Sequence, residues 1–152
     1  MTTAAKNSPE AGFSTEERVA MKQRAAELKA EARRATAAEK LAAEKDAFDE
    51  KIAGMPSSDR VMAERLSSIV AKAAPDLQPK LYYGQPGWAR DGKVVVFFRS
   101  GIMDKARYST LGFSEEAALD ESDGIWPTSY ALDHLSDAAA TAIAERIARA
   151  IA

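Results

Sequence analysis

Apolar positions along this chain change their period twice, and each change marks a predicted element. Between Thr15 and Ala53 they recur at helical spacing but are small and sparse. They run Met21, Ala25, Leu28, Ala32 and Ala35, slip near Thr36, and resume at Leu41, Phe48 and Ile52. The rest of the segment is mostly Ala, Glu, Lys and Arg, which favour helix. Ser14 and Glu17 fit a capping box at its start. The slip breaks the register a long coiled coil needs. The segment therefore predicts a solvated helical arm docked by its last turns, with a partner-binding or dimerising arm as the alternative. Gly54-Met55-Pro56 interrupts it. Ser57 or Ser58 is expected to cap a second helix, with Asp59 in its first turn. Met62, Leu66, Ile69, Val70 and Ala73 give that helix one apolar face, and Pro75 ends it.

The period then falls to two. Lys93–Arg99 reads KVVVFFR; Val94, Val96 and Phe98 are expected on one face and Val95 and Phe97 on the other, which predicts a central strand covered on both sides. Asp91-Gly92 suits a two-residue type I′ turn, so the partner strand is expected at about 87–90. Pro86, between Gly84 and Gly87, predicts a break separating Tyr82–Tyr83 from Trp88. Further strands are expected at Arg107–Phe113 and Ile125–Leu132, the latter at an edge or bulge because of Pro127. Between them Ser114 can cap a short turn, and Asp120–Gly124 forms an acidic loop. Ser136 should cap a terminal helix in which Ile143, Ile147 and Ile151 stack at i+4 spacing, with Arg146 and Arg149 in its closing turns complementing the helix dipole. This order is α+β: an antiparallel sheet packed by helices, preceded by a long charged N-terminal helix. The division expected is a disordered start and helical arm over 1–54 and an α+β domain over 55–152, with disorder confined to Met1–Gly12.

Composition narrows the chemistry. The chain has 152 residues, a net charge of −2, no cysteine and one histidine. Disulfides, cysteine nucleophiles, thiolate metal sites and zinc sites built on several histidines are excluded. The balance gives no footprint for nucleic acid. No run reaches membrane-span length and Met1–Ala11 lacks an apolar leader, so the expectation is a cytoplasmic protein. Charge is uneven. Lys80–Arg107 carries six basic and two acidic residues, whereas Tyr108–Asp137 carries seven acids and no Lys or Arg.

Pro79-Lys80-Leu81-Tyr82-Tyr83-Gly84-Gln85-Pro86, an aromatic at Trp88, and Gly92-Lys93-Val94-Val95-Val96-Phe97-Phe98 together resemble the YdhG-like family of small bacterial domains. Some of its members are described as frataxin-like iron chaperones. The resemblance covers about 55–152. It implies an antiparallel sheet packed by helices, a non-enzymatic role in iron binding or delivery, and an iron-acceptor protein as partner.

The residues themselves offer two sites. Glu115, Glu116, Asp120, Glu121 and Asp123 form the densest carboxylate group, and oxygen ligation is the one route to iron in a chain of this composition; a solvated acidic loop is the plainer reading. Arg99 and Arg107 frame one loop and would repel unless neutralised, by Asp104 or by a small anionic ligand. Tyr83, Trp88 and Trp126, with Tyr82 and Tyr108, could wall such a pocket. No catalytic constellation accompanies His134 or the serines, so no enzyme is expected.

Overall fold

Two adjacent pairs of residues in left-handed backbone set the sheet. The chain turns at Tyr83-Gly84 (φ 48° and 78°) and again at Asp91-Gly92 (φ 53° and 80°). Each pair gives the double positive φ of a two-residue hairpin whose twist matches that of its strands. They join β1 (Gln78–Tyr82), β2 (Gln85–Arg90) and β3 (Lys93–Arg99). With β4 (Ser109–Phe113) and β5 (Ser129–Leu132) these form one antiparallel sheet in the order β1-β2-β3-β4-β5. The helices are α1 (Thr15–Ala53), α2 (Ser57–Ala73) and α3 (Asp137–Ala150). This computed structural model describes residues 14–152; the disorder expected of Met1–Gly12 lies outside them. The fold is α+β, as the pattern predicts.

Residues up to Lys40 and residues Leu41–Ala152 make two units. The division falls inside α1, where the sequence suggested Gly54. In the first unit Ser14 caps α1, its Oγ accepting from the Glu17 amide at 3.1 Å, and Val19, Met21 and Leu28 stay about half exposed. In the second, Phe48 and Ile52 on the last turns of α1 are buried. There the Phe48 ring meets Trp88 edge-on at 5.5 Å. One turn earlier, Lys45 donates to Asp49 at 2.7 Å, and that bond raises the ammonium pKa above its usual 10.5.

The predicted face of α2 is the buried one: Met62, Leu66 and Val70 are closed off, with Ile69 and Ala73 half-covered beside them. Ile143 and Ile147 of α3 complete the layer. A fully buried Leu or Ile contributes about 1.5–3 kcal/mol, so these stripes hold the helices to the sheet. Ser136 caps α3 as expected, accepting from the Ala139 amide at 3.1 Å. Neither Ser57 nor Ser58 caps α2; Pro56 occupies that position without a side-chain bond, which suits a residue of fixed φ immediately before a helix.

Three strand expectations need correction. Pro86 does not break the chain. It lies inside β2 opposite Leu81, one step beyond the hairpin-closing pair Tyr82↔Gln85, where β1 asks for no N–H. The break is at Tyr83-Gly84 instead. The strands near the second half are shorter than predicted, starting at Ser109 and Ser129: Arg107 and Tyr108 form a bend before the first, and Pro127 before the second has no N–H to donate. Finally, β3 does not alternate cleanly. Trp88 pairs with Val96 and Ala89 with Val94, which leaves Val95 as the extra residue of a β-bulge. Val95, Val96 and Phe98 therefore share the helix-packed core with Trp88. Val94 turns to the other face, where its Cγ1 would lie 3.0 Å from a Cβ built on Gly87.

The second face lies outside that core cluster. Phe97 covers it: its ring lies on Gly112, so close that a Cβ there would fall 2.2 Å from Cζ. Tyr82 lies against Phe97 at 4.9 Å, and Tyr83 meets Tyr82 edge-on at 4.7 Å.

Candidate functional site

The β4–β5 ladder sets Leu111 opposite Tyr130 on the helix-packed face, and α3 crosses nearby. Along α3, Ala142 and Arg149 lie on one stripe with Glu145 and Arg146 to either side, as helical spacing dictates. Because Ala142 has only a methyl group, a pocket of about 350 Å³ opens between helix and sheet. Leu111, Ile143 and the Tyr130 ring make it mainly apolar. This volume lies within the range of small-molecule sites.

Its polar groups are unequally engaged. Arg149 is bound to Glu121 at 2.6 Å. Arg146 has no carboxylate partner among the described residues; its guanidinium carbon lies over the Tyr130 ring, 5.8 Å from the centroid, a cation–π contact that uses none of its N–H donors. The Tyr130 hydroxyl is buried without a hydrogen-bond partner, and its ring is fixed edge-on against Phe113 at 6.1 Å. Two other recesses, each about 380 Å³, differ in this respect. Their cations are taken: Lys80 by Glu44 at 3.7 Å, Lys93 by Glu116 at 4.0 Å and Arg60 by Glu64 at 3.8 Å.

The residues expected to bind an anion do not share a cavity. Trp88 is buried in the core, and Trp126 is half-buried against it. Tyr83 is 89 % exposed at its turn. Arg99 forms an ion pair with Asp104 at 3.4 Å, out of line for a hydrogen bond. Arg107 sits over the ring of its neighbour Tyr108 at 5.1 Å and lines a recess of about 160 Å³.

The acidic group is likewise dispersed. Glu116 faces Lys93, Glu121 faces Arg149, and Asp123 accepts from the Ile125 amide at 3.4 Å. Asp120 offers its backbone carbonyl to Arg149. Neither Glu115 nor the others gather into a ligand set: among the described residues no three His, Asp or Glu side chains are placed to hold a metal ion. His134 has Asp133 at 3.6 Å, both largely exposed.

One buried polar cluster escaped the sequence reading. Asp59, expected merely to complement a helix start, is 3 % exposed. Its carboxyl oxygens accept from Ser100 Oγ at 2.5 Å, the Ile102 amide at 3.1 Å and Ser109 Oγ at 3.3 Å. Ser109 Oγ also accepts from the Gly101 amide at 2.9 Å. The cluster ties the β3–β4 loop to α2. Its polar atoms are satisfied by one another, which makes it a brace. Arg146 was passed over for a similar reason: its place near the end of α3 fits the helix dipole, and only its position beside the Ile143–Ile147 stripe hints at contact with the sheet. No family model, curated protein or solved structure matches the chain, so the likeness to the YdhG-like family rests on the residues quoted for it.

Proposed function

We propose that residues Leu41–Ala152 form a binding module for a small carboxylate-bearing molecule with an apolar body, held between β5 and α3. The observation that carries this reading is Arg146: an uncommitted guanidinium at the rim of a mainly apolar pocket of ligand size. A carboxylate would meet a charge-assisted, two-pronged donor, while the body of the molecule covers Leu111, Ile143 and the Tyr130 ring. An iron-delivery role, which the family resemblance implies, would need the acidic residues of 115–123 to converge, and they face separate partners.

The test is calorimetric titration of wild type and Arg146→Ala with hexanoate, 3-phenylpropionate and the neutral 3-phenylpropanamide. Wild type should bind both carboxylates and discriminate against the amide. Arg146→Ala should lose about tenfold or more, the usual effect of removing a charge-assisted contact. Amide and acid binding alike, or an unchanged Arg146→Ala, would overturn the proposal.

A further inference from the structure

We infer that the molecule held at this pocket is a zwitterion, an apolar α-amino acid, an assignment that rests on the carboxylate site proposed above. The basis is Glu145. It lines the same pocket as Arg146 and, like it, belongs to no ion pair among the described residues. Consecutive helical side chains project about 100° apart and do not face each other. Here they flank the stripe of Ala142 and Arg149, so one free anion and one free cation stand on opposite sides of one recess.

Arg149 cannot substitute for Arg146, because Glu121 occupies it at 2.6 Å and it also donates to the Asp120 carbonyl. A bare carboxylate entering this recess is attracted by Arg146 and repelled by Glu145. A bare amine experiences the reverse. A molecule with ammonium and carboxylate on one carbon satisfies both and places its side chain on Leu111, Ile143 and the Tyr130 ring. The recess has room for about a dozen waters at roughly 30 Å³ each, which is the scale of phenylalanine or leucine. A second arginine and a second carboxylate, Arg149 with Glu121, already neutralise each other at the far end, so the pocket as a whole accepts a neutral zwitterion without residual charge.

The experiment uses the full chain and three probes of one shape: L-phenylalanine, 3-phenylpropionate, which lacks the ammonium, and phenethylamine, which lacks the carboxylate. Titration is run on wild type, Glu145→Gln, Arg146→Ala and Ala142→Phe, with amide chemical shifts of 142–149 followed to locate binding. Ala142 is exposed, so Phe can fill the recess without entering the core. Phenylalanine should bind wild type about tenfold tighter than phenylpropionate, as one added charge-assisted contact gives. Glu145→Gln should remove that preference and strengthen phenylpropionate, and Ala142→Phe should block both probes. Phenylpropionate binding as tightly as phenylalanine, with Arg146→Ala losing it, overturns the zwitterion and leaves the carboxylate site standing. Phenethylamine binding best overturns both, as does absence of any binding with unmoved shifts at 142–149.

Discussion

Replacing Asp59 with alanine should loosen the segment between β3 and β4 and lower the stability of the unit formed by Leu41–Ala152. Three donors converge on this carboxyl group: Ser100 Oγ, the Ile102 amide and Ser109 Oγ. A hydrogen bond to a charged acceptor contributes about 1.5–3 kcal/mol net, but removing the acceptor does not cost three times that. The Ile102 amide is only partly buried, so water can replace its partner. Ser100 and Ser109, at 1 % and 3 % exposure, still accept from the Met103 and Gly101 amides but are left with stranded hydroxyl protons. The loss also removes a charge whose burial carried its own penalty. The balance is about 2–4 kcal/mol for Asp59→Ala and about 1–2 kcal/mol for Asp59→Asn, which keeps the shape and one acceptor oxygen. Against a total stability of about 5–15 kcal/mol for an ordinary domain, the alanine variant should remain folded but melt early in urea. Trp88 fluorescence reports the core, and limited trypsin digestion reports the loop, since Lys105 and Arg107 lie within it. The account fails if Asp59→Ala shifts the urea midpoint by less than about 0.5 kcal/mol in equivalent free energy, or if cleavage at those two residues does not accelerate.

Gly92→Val should cost about 1–3 kcal/mol, since a β-branched residue resists the positive φ of 80° there; an unchanged chemical melt would show that the turn accepts a side chain. Gly112→Ala should cost about 1–3 kcal/mol through overpacking against the Phe97 ring. Adding Phe97→Leu should recover part of that loss, and strict additivity of the two substitutions would mean that the ring does not set the cost.

Local chemistry and periodicity made the helices legible. Met62, Leu66 and Val70 mark the buried face of α2, Ile143 and Ile147 that of α3, and Ser136 its cap. Asp91-Gly92 was equally plain because few other pairs suit two consecutive positive φ values. The same turn at Tyr83-Gly84 was hidden because tyrosine seldom adopts that backbone, and Pro86 drew the break to itself. The bulge was hidden because three successive valines read alike at either face; only the pairing of Trp88 with Val96 distinguishes them. The two polar features depend on contacts between distant segments. Asp59 meets Ser100 and Ser109 across the fold, and Arg146 meets Tyr130 from another element. Neither side chain departs from what a helix end ordinarily carries, so nothing in its own neighbourhood announces the contact. Carboxylates and arginines close in sequence, at 115–123 and at 99 and 107, suggested sites that the fold disperses among separate partners.

The unpaired Val95 gives β3 an uneven tolerance to changes in chain length. Deleting any paired residue of a strand moves everything beyond it to the opposite face and exchanges core for solvent. Val95 has no partner on β2, though its carbonyl accepts from the Ser114 amide on the other side, so its removal would leave Val94 opposite Ala89 and Val96 opposite Trp88. The surviving side chains would keep their faces, and the core would lose one valine and the local twist that the bulge supplies. A strand that looks, letter by letter, like the least editable stretch of the protein thus contains one position where a codon can be lost without inverting the sheet.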